Sequence, residues 1–84
     1  MTYHVYLIVS KVKKRTISYV GYTNNINKRL ELHNKGKGAK FTRGKKWRLL
    51  YQKKYTSKSK AMTEEYKLKK NFKLRNQIKS NAKI

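Results

Sequence analysis

Few side chains in this sequence can act as an acid, a base or a metal ligand. The chain has no Cys and only two His and three Glu, against 24 Lys and Arg. Tyr and His can move protons, Arg can neutralise phosphate charge, and a carboxylate can hold a divalent cation. The residues whose types and spacing suit this chemistry are Tyr6, Tyr19, Gly21, Arg29, His33 and Glu65. Together they predict a metal-dependent site for phosphodiester hydrolysis, with Glu65 as the metal ligand.

Glu65 is the most informative of these residues, because it lies within the apolar arc of a predicted helix. That arc is marked by Ala61, Met62, Leu68 and Phe72, with Glu64 at its edge. Burying an unpaired carboxylate costs several kcal/mol, so Glu65 needs a positive partner. Two explanations remain open. One is a salt bridge to a Lys or Arg, and the other is a divalent metal such as Mg²⁺, which needs few protein ligands.

Arg29 and His33 lie one turn apart on an earlier predicted helix, from Ile26 to about Asn34. Both flank its apolar stripe and should point towards the sheet. Their presence there also has a structural explanation, since an Arg stem can cover the core and a His can fill a gap.

Tyr6 and Tyr19 should come close if their strands pair as a hairpin, and Gly21 shares the face of Tyr19. A Gly inside a strand allows a close approach to the backbone. Two tyrosines on a sheet are also common core residues. Near a metal and several cations, however, a tyrosine should have a pKa below its usual value of about 10 and could take a proton from water.

The pattern of elements predicts one α+β domain over residues 1–84, with a three-stranded antiparallel sheet flanked by two to three helices. Tyr3 to Val9 should be a strand covered on both faces, and a Gly- and Lys-rich loop from Lys35 to Lys46 appears too polar for the core. The other predicted elements are strands at Thr16–Tyr22 and Trp47–Tyr55, a helix from Ala61 to about Lys70 capped by Ser57 or Ser59, and weak helical spacing over Phe72–Ile84.

The net charge of +21 predicts a polyanionic partner, most plausibly DNA or RNA. Ribosomal and membrane-surface proteins are equally basic, so charge alone does not indicate cleavage. The apolar run Val5–Val9 is far shorter than the roughly 18 to 20 residues that span a bilayer, and no secretory signal is apparent. We expect a cytoplasmic monomer with no membrane partner. A cationic membrane-active peptide is disfavoured because strand and helix patterns alternate.

The motifs that carry these residues are His4-Val5-Tyr6, Tyr19-Val20-Gly21 followed by Thr23, Lys28–Asn34 (KRLELHN) and Ala61–Lys70 (AMTEEYKLKK). In these motifs the chain resembles the GIY-YIG nuclease superfamily over about residues 3 to 80. It is most similar to the small stand-alone bacterial members (YhbQ-like), because its loop Gly36–Tyr51 resembles the loop of that subgroup. It is more distantly similar to the N-terminal nuclease domain of the excision-repair protein UvrC and to homing endonucleases.

The resemblance implies a role for each matching position. Tyr19 would be the general base for the attacking water, and Tyr6 would position that water or support Tyr19. Arg29 would stabilise charge on the scissile phosphate. His33 would assist proton transfer or contact the phosphate, and Glu65 would bind one Mg²⁺ or Mn²⁺.

The implied activity is an endonuclease that selects DNA by structure rather than sequence, in repair or recombination, with a targeting partner unknown. Phosphate contacts are expected from the loop residues Lys40, Thr42, Arg43, Lys45 and Lys46, since Tyr22 stands where the repair nuclease has a lysine. Trp47 and Tyr51 could stack on bases, although a core position is favoured. The competing hypothesis is a non-catalytic nucleic-acid-binding module of the same fold.

Overall fold

A computed structural model of the chain describes residues 2–81. The sheet is antiparallel, has the strand order β2-β1-β3 and is accompanied by three helices, which confirms the predicted α+β fold. The elements are β1 (Tyr3–Val12), β2 (Arg15–Thr23), α1 (Ile26–Asn34), a short 3-10 helix (Lys40–Thr42), β3 (Arg48–Tyr55), α2 (Lys58–Lys70) and α3 (Phe72–Asn81). The part of the predicted last helix beyond residue 81 lies outside the described residues.

The central strand β1 is buried on both faces, as its nearly continuous apolar run predicted. On one face, Tyr6 and Ile8 form a core with Trp47, against which Ile26 and Leu30 of α1 pack. On the opposite face lies a second core, formed by Val5, Leu7, Val20, Ala61 and Leu68. The sheet therefore separates α1 from α2.

Strands β1 and β2 form the predicted hairpin. In its register Ile8 is opposite Tyr19 and Tyr6 is opposite Gly21. Because successive side chains alternate between faces, Tyr6, Tyr19 and Gly21 share the face covered by α1. The strand β2 pairs only with β1 among the described strands, so its other edge is open.

Side-chain caps fix the starts of α1 and α2. Asn25 accepts a hydrogen bond from the backbone N–H of Lys28 at 3.1 Å, and Ser57 accepts one from Lys60 at 3.1 Å. Ser57 is one of the two cap residues that the sequence indicated for the second helix. These caps set the rotation at which Arg29, His33 and Glu65 leave their helices.

Two sequence interpretations of the core are wrong. Met62 and Phe72 are 48% and 64% exposed, since α2 contacts the sheet through Ala61 and Leu68 alone among its buried residues. The loop before β3 is not excluded from the core, because Thr42 in it is completely buried. The loop is polar in composition, yet it folds back over the face that carries α1.

No helix within residues 2–81 is long and apolar enough to cross a membrane.

Candidate active site

The missing side chain at Gly21 lets the ring of Tyr6 lie across β2. A Cβ atom at Gly21 would stand 2.6 Å from Cζ of Tyr6, which is closer than two carbon atoms can approach. Only Gly therefore leaves room for this ring, which is almost completely buried. The phenol group reaches the side chains of α1 as a result.

A buried row of hydrogen bonds joins Tyr6, His33 and Thr42. The Tyr6 hydroxyl lies 2.9 Å from His33 Nε2, and His33 Nδ1 lies 2.9 Å from Thr42 Oγ1. Thr42 donates its own proton to the Ala39 carbonyl at 2.9 Å, so it must accept at its oxygen from His33 Nδ1–H. His33 Nε2 then carries no proton and accepts the hydrogen bond from Tyr6.

Burial sets the protonation states in this row. Burial, together with the nearby Arg29 cation, lowers the pKa of His33 to about 4, so His33 is neutral at pH 7. Burial also raises the pKa of Tyr6, although the hydrogen bond and charge of Arg29 oppose that rise. Loss of water therefore outweighs the influence of Arg29 on this phenol. Tyr6 is a hydrogen-bond donor here rather than a base.

Arg29 is held at two points and retains free donors. Its Nε donates to the Tyr6 hydroxyl at 3.4 Å, and Nη2 donates to the Gly38 carbonyl at 3.3 Å. Arg29 also lines an open hollow of about 420 Å³ with Tyr3, Tyr22, Thr23, Asn24 and Lys58, which we call the Arg29 hollow. The guanidinium can therefore present its remaining N–H groups to an anion in a fixed direction.

Tyr19 lies beside the row without joining it. Its ring meets the His33 ring edge to face at 5.2 Å and stacks on Phe41 at 6.1 Å. The structure records no hydrogen bond to the Tyr19 hydroxyl from any of residues 2–81. The charge of an ionised Tyr19 would raise the pKa of Tyr6, which shows that the two phenols are neighbours. This hydroxyl is thus available to a water molecule.

Glu65 lies on α2, where its side chain is only 16% exposed and pairs with Lys69 at 3.4 Å. It lines an open hollow of about 620 Å³ with Tyr22, Met62, Thr63, Tyr66 and Lys67, the Glu65 hollow. Tyr22 lines this hollow and the Arg29 hollow alike. The carboxylate and the guanidinium therefore line two hollows that share Tyr22. The negative charge of Glu65 also raises the pKa of Tyr6.

The donor set suits a magnesium-like ion rather than zinc. Within residues 2–81, no cluster of three or more His, Cys, Asp or Glu side chains could hold a metal. A structural zinc site needs such a cluster, whereas Mg²⁺ retains several waters and accepts a single carboxylate. Glu65 fits that requirement, because its partner Lys69 is half exposed and can swing away.

The residues of the predicted phosphate-binding loop differ in their exposure. Lys40, Arg43 and Lys46 are exposed, and Lys45 Nζ donates to the Phe41 carbonyl at 3.1 Å. Thr42 was wrongly predicted to contact nucleic acid, since its hydroxyl is enclosed by Ala39 and His33. Trp47 is also in the core, where its indole N–H donates to the Thr42 carbonyl at 2.9 Å.

Sequence reasoning missed two residues that orient His33. Thr42 fixes its tautomer, and Gly38 leaves space for its ring, since a Cβ at Gly38 would stand 2.7 Å from His33 Cγ. A Gly in a polar loop does not by itself indicate that a side chain packs against it. Only the folded loop shows that both residues face the same imidazole.

The neutral state of His33 predicts an acid-sensitive stability. The pKa of His33 falls from about 6.5 in the unfolded chain to about 4, so the unfolded state binds more protons between these values. Stability is therefore complete above pH 6.5 and is lost as the pH falls. We expect a loss of about 2 kcal/mol between pH 7 and pH 5 in urea unfolding. His33→Gln should remove this slope and His4→Gln should keep it; an equal slope in both variants would contradict the assignment.

Thr42→Val should destabilise the protein by about 2 kcal/mol, because His33 Nδ1–H and the Ala39 N–H both lose their buried acceptor. Thr42→Ser keeps the hydroxyl and removes one methyl group, so it should cost only about 1 kcal/mol. Urea unfolding of both variants measures the difference. Equal losses would show that packing, and not the hydrogen bonds, explains why Thr42 is buried.

The fold and this site define a class: a small α+β nuclease domain with paired tyrosines on a hairpin and Arg and His on the following helix. The GIY-YIG catalytic domain matches residues 2–79, and the chain belongs to the GIY-YIG family. Within that family it is similar to the small stand-alone UPF0213 proteins of bacteria, as the sequence motifs indicated.

The similarity to these relatives covers most of the chain. The UPF0213 protein of Oceanobacillus iheyensis is 46% identical over 65 residues, which are 76% of this chain and 74% of that protein. The one from Staphylococcus haemolyticus is 43% identical over 65 residues, or 76% and 78%. A solution NMR structure of a UPF0213 protein from Bacillus halodurans has 36% identity and a TM-score of 0.53, and the match covers 95% of this chain and 84% of that one.

Proposed function

We propose that this protein is a metal-dependent endonuclease that hydrolyses phosphodiester bonds in DNA and selects its substrate by structure rather than sequence. The observation that carries the proposal is that the hollows of Arg29 and Glu65 share Tyr22, with Arg29 bonded to the buried Tyr6–His33–Thr42 row. A cation and a carboxylate in neighbouring hollows suit a phosphate and a divalent ion together. Membership of a nuclease family supports the same conclusion.

The residues divide the work of hydrolysis between them. Tyr19, as its phenolate, takes a proton from the attacking water. Arg29 stabilises the negative charge that develops on the phosphate oxygens. Tyr6 and His33 act indirectly, because their hydrogen bonds hold the Arg29 side chain and the Tyr6 ring in fixed positions. A divalent ion held by Glu65 would supply Lewis-acid neutralisation of the phosphate charge.

Substrate binding would depend mainly on phosphate contacts. The net charge of +21 is distributed along the whole chain, and Lys40, Arg43 and Lys46 are exposed in the loop that covers His33. Affinity should therefore fall steeply with salt and vary little with base sequence. A role in repair or recombination would follow from selection of branched or flapped DNA.

The proposal is tested by incubating the protein with labelled flaps, forks, single strands and duplexes, in Mg²⁺ or Mn²⁺ and in EDTA. Cleavage that requires the metal and prefers one DNA structure would support it. Cleavage of RNA alone would move the substrate to RNA. Binding of every substrate without cleavage in any metal would overturn the enzymatic proposal.

A non-catalytic binding module is the second candidate, and the pairing of Glu65 with Lys69 favours it. At 3.4 Å this pair already provides a counterion for the largely buried carboxylate. Its lysine is half exposed, however, and an ion pair screened by water contributes only about 0 to 1 kcal/mol. The pair also explains neither the fixed Arg29 nor the oriented His33, which a pure phosphate binder does not need.

A further inference from the structure

An aromatic and basic surface on α2 and α3 has no part in the proposed chemistry. Tyr66 is 60% exposed and Phe72 is 64% exposed. Both rings line an open hollow of about 540 Å³, the aromatic groove, with Lys67, Lys70, Asn71 and Lys73. Single exposed apolar residues are ordinary, but two aromatic rings in one groove among lysines suggest a binding surface.

Each ring of the aromatic groove has a cation beside it. Lys70 Nζ lies 5.3 Å from the centre of the Tyr66 ring, and the Arg75 guanidinium carbon lies 5.6 Å from that of Phe72. Aromatic rings and positive charges thus lie close together on this surface. A nucleotide chain offers the matching groups, which are flat bases and negative phosphates.

The aromatic groove continues into the candidate active site. It shares Tyr66 and Lys67 with the Glu65 hollow. That hollow in turn shares Tyr22 with the Arg29 hollow. The aromatic groove is therefore a neighbour of the Glu65 hollow, and the Glu65 hollow is a neighbour of the Arg29 hollow.

We propose that the aromatic groove binds a single-stranded nucleic-acid segment, with unpaired bases on Tyr66 and Phe72 and phosphates on Lys67, Lys70 and Lys73. Base pairs in a duplex already stack on one another, so only unpaired bases can offer their faces to protein rings. This inference rests on the proposed nuclease function for its consequence. The preferred substrate would carry a single-stranded segment beside the bond that is cut, as a flap does.

Charge complementarity selects this occupant over the others. A second copy of the chain would bring another net charge of +21 to a surface that is itself basic, and the two would repel. An acidic protein segment would satisfy the lysines. It would not require two open aromatic faces, whereas base stacking does.

The test compares affinities in EDTA, where no metal-dependent cleavage occurs, so its result does not depend on catalysis. Fluorescence anisotropy would measure Kd for a labelled oligothymidine and for a blunt hairpin duplex with the same number of phosphates. The double variant Tyr66→Leu/Phe72→Leu keeps apolar helix formers and removes both rings. We expect it to bind the single strand at least tenfold more weakly, since each stacked base accounts for about 5- to 150-fold. Duplex affinity should change less than threefold.

Matched variants separate stacking from charge. Tyr66→Phe/Phe72→Tyr keeps both rings and should bind the single strand as the wild type does. Lys70→Ala should weaken single-strand binding and reduce its salt dependence, whereas Lys14→Ala, which removes the same charge from the β1–β2 turn, should do so less. Equal losses on both substrates, or unchanged single-strand binding by the leucine variant, would overturn the inference. The nuclease proposal would stand in either case, because its own test is metal-dependent cleavage.

Discussion

Glu65→Gln should reduce cleavage about a thousandfold while DNA affinity in EDTA changes less than threefold. The substitution keeps the size of the side chain but removes the charge that would hold a divalent ion. Such an ion contributes several kcal/mol to transition-state stabilisation, and each 1.36 kcal/mol is about tenfold in rate. The measurement is single-turnover cleavage of the preferred substrate at saturating protein, beside a binding titration.

Glu64→Gln is the matched control, because Glu64 precedes Glu65 on α2 and also pairs with lysines. Its Oε2 lies 3.1 Å from Lys67 Nζ and 3.9 Å from Lys60 Nζ. Those lysines lower the pKa of Glu64, which is therefore ionised and forms ion pairs with them. We expect near wild-type cleavage from this variant. If the two substitutions have equal effects, Glu65 is one more ion-paired residue and the binding module becomes the better account.

Arg29→Lys should lower the cleavage rate about a hundredfold to a thousandfold, which is the usual effect of removing one donor to a developing anion. Lysine keeps the positive charge but cannot donate at the same time to the Tyr6 hydroxyl, to the Gly38 carbonyl and to a phosphate. Substrate affinity should change little, because lysine retains the positive charge and the chain still has 24 basic residues. The loss should therefore appear in the rate of the chemical step.

Arg15→Lys provides the comparison for Arg29→Lys, since Arg15 is an exposed arginine at the start of β2. It should cleave at the wild-type rate. A small effect of Arg29→Lys, comparable with that of Arg15→Lys, would show that Arg29 acts only through its charge. The hydrogen bonds from Arg29 to Tyr6 and Gly38 would then have no effect on the rate of cleavage.

Most of the fold could be predicted because its determinants are local. A few neighbouring residues are enough to specify each of these features: the apolar run of β1, the Asn25 and Ser57 caps, and the glycines after α1. The apolar face of α2 was predicted less well. Met62 fits the helical period, but α2 buries only Ala61 and Leu68, and Phe72 lies beyond the end of α2 at the start of α3. Sequence periodicity predicted neither the end of α2 at Lys70 nor which of its apolar residues meet the sheet.

The candidate site divides in the same way. Tyr6, Tyr19, Arg29, His33 and Glu65 were selected by residue type and motif. The structure places the first four on the face covered by α1, and Glu65 on α2. The protonation state of His33 could not be predicted, because burial is a property of the assembled core and burial leaves this imidazole neutral.

The sequence by itself determined the charge, the family motifs and the residue types that a phosphate site requires, because these depend only on identity and spacing. The tertiary structure alone decided that Thr42 orients His33, that Gly21 opens the space for Tyr6, and that the hollows of Glu65 and Arg29 share Tyr22. The physical reason is distance along the chain. Thr42 and Glu65 reach the site from separate elements, and only the packing of the loop and of α2 against the sheet brings them within reach of its hydrogen bonds and charges.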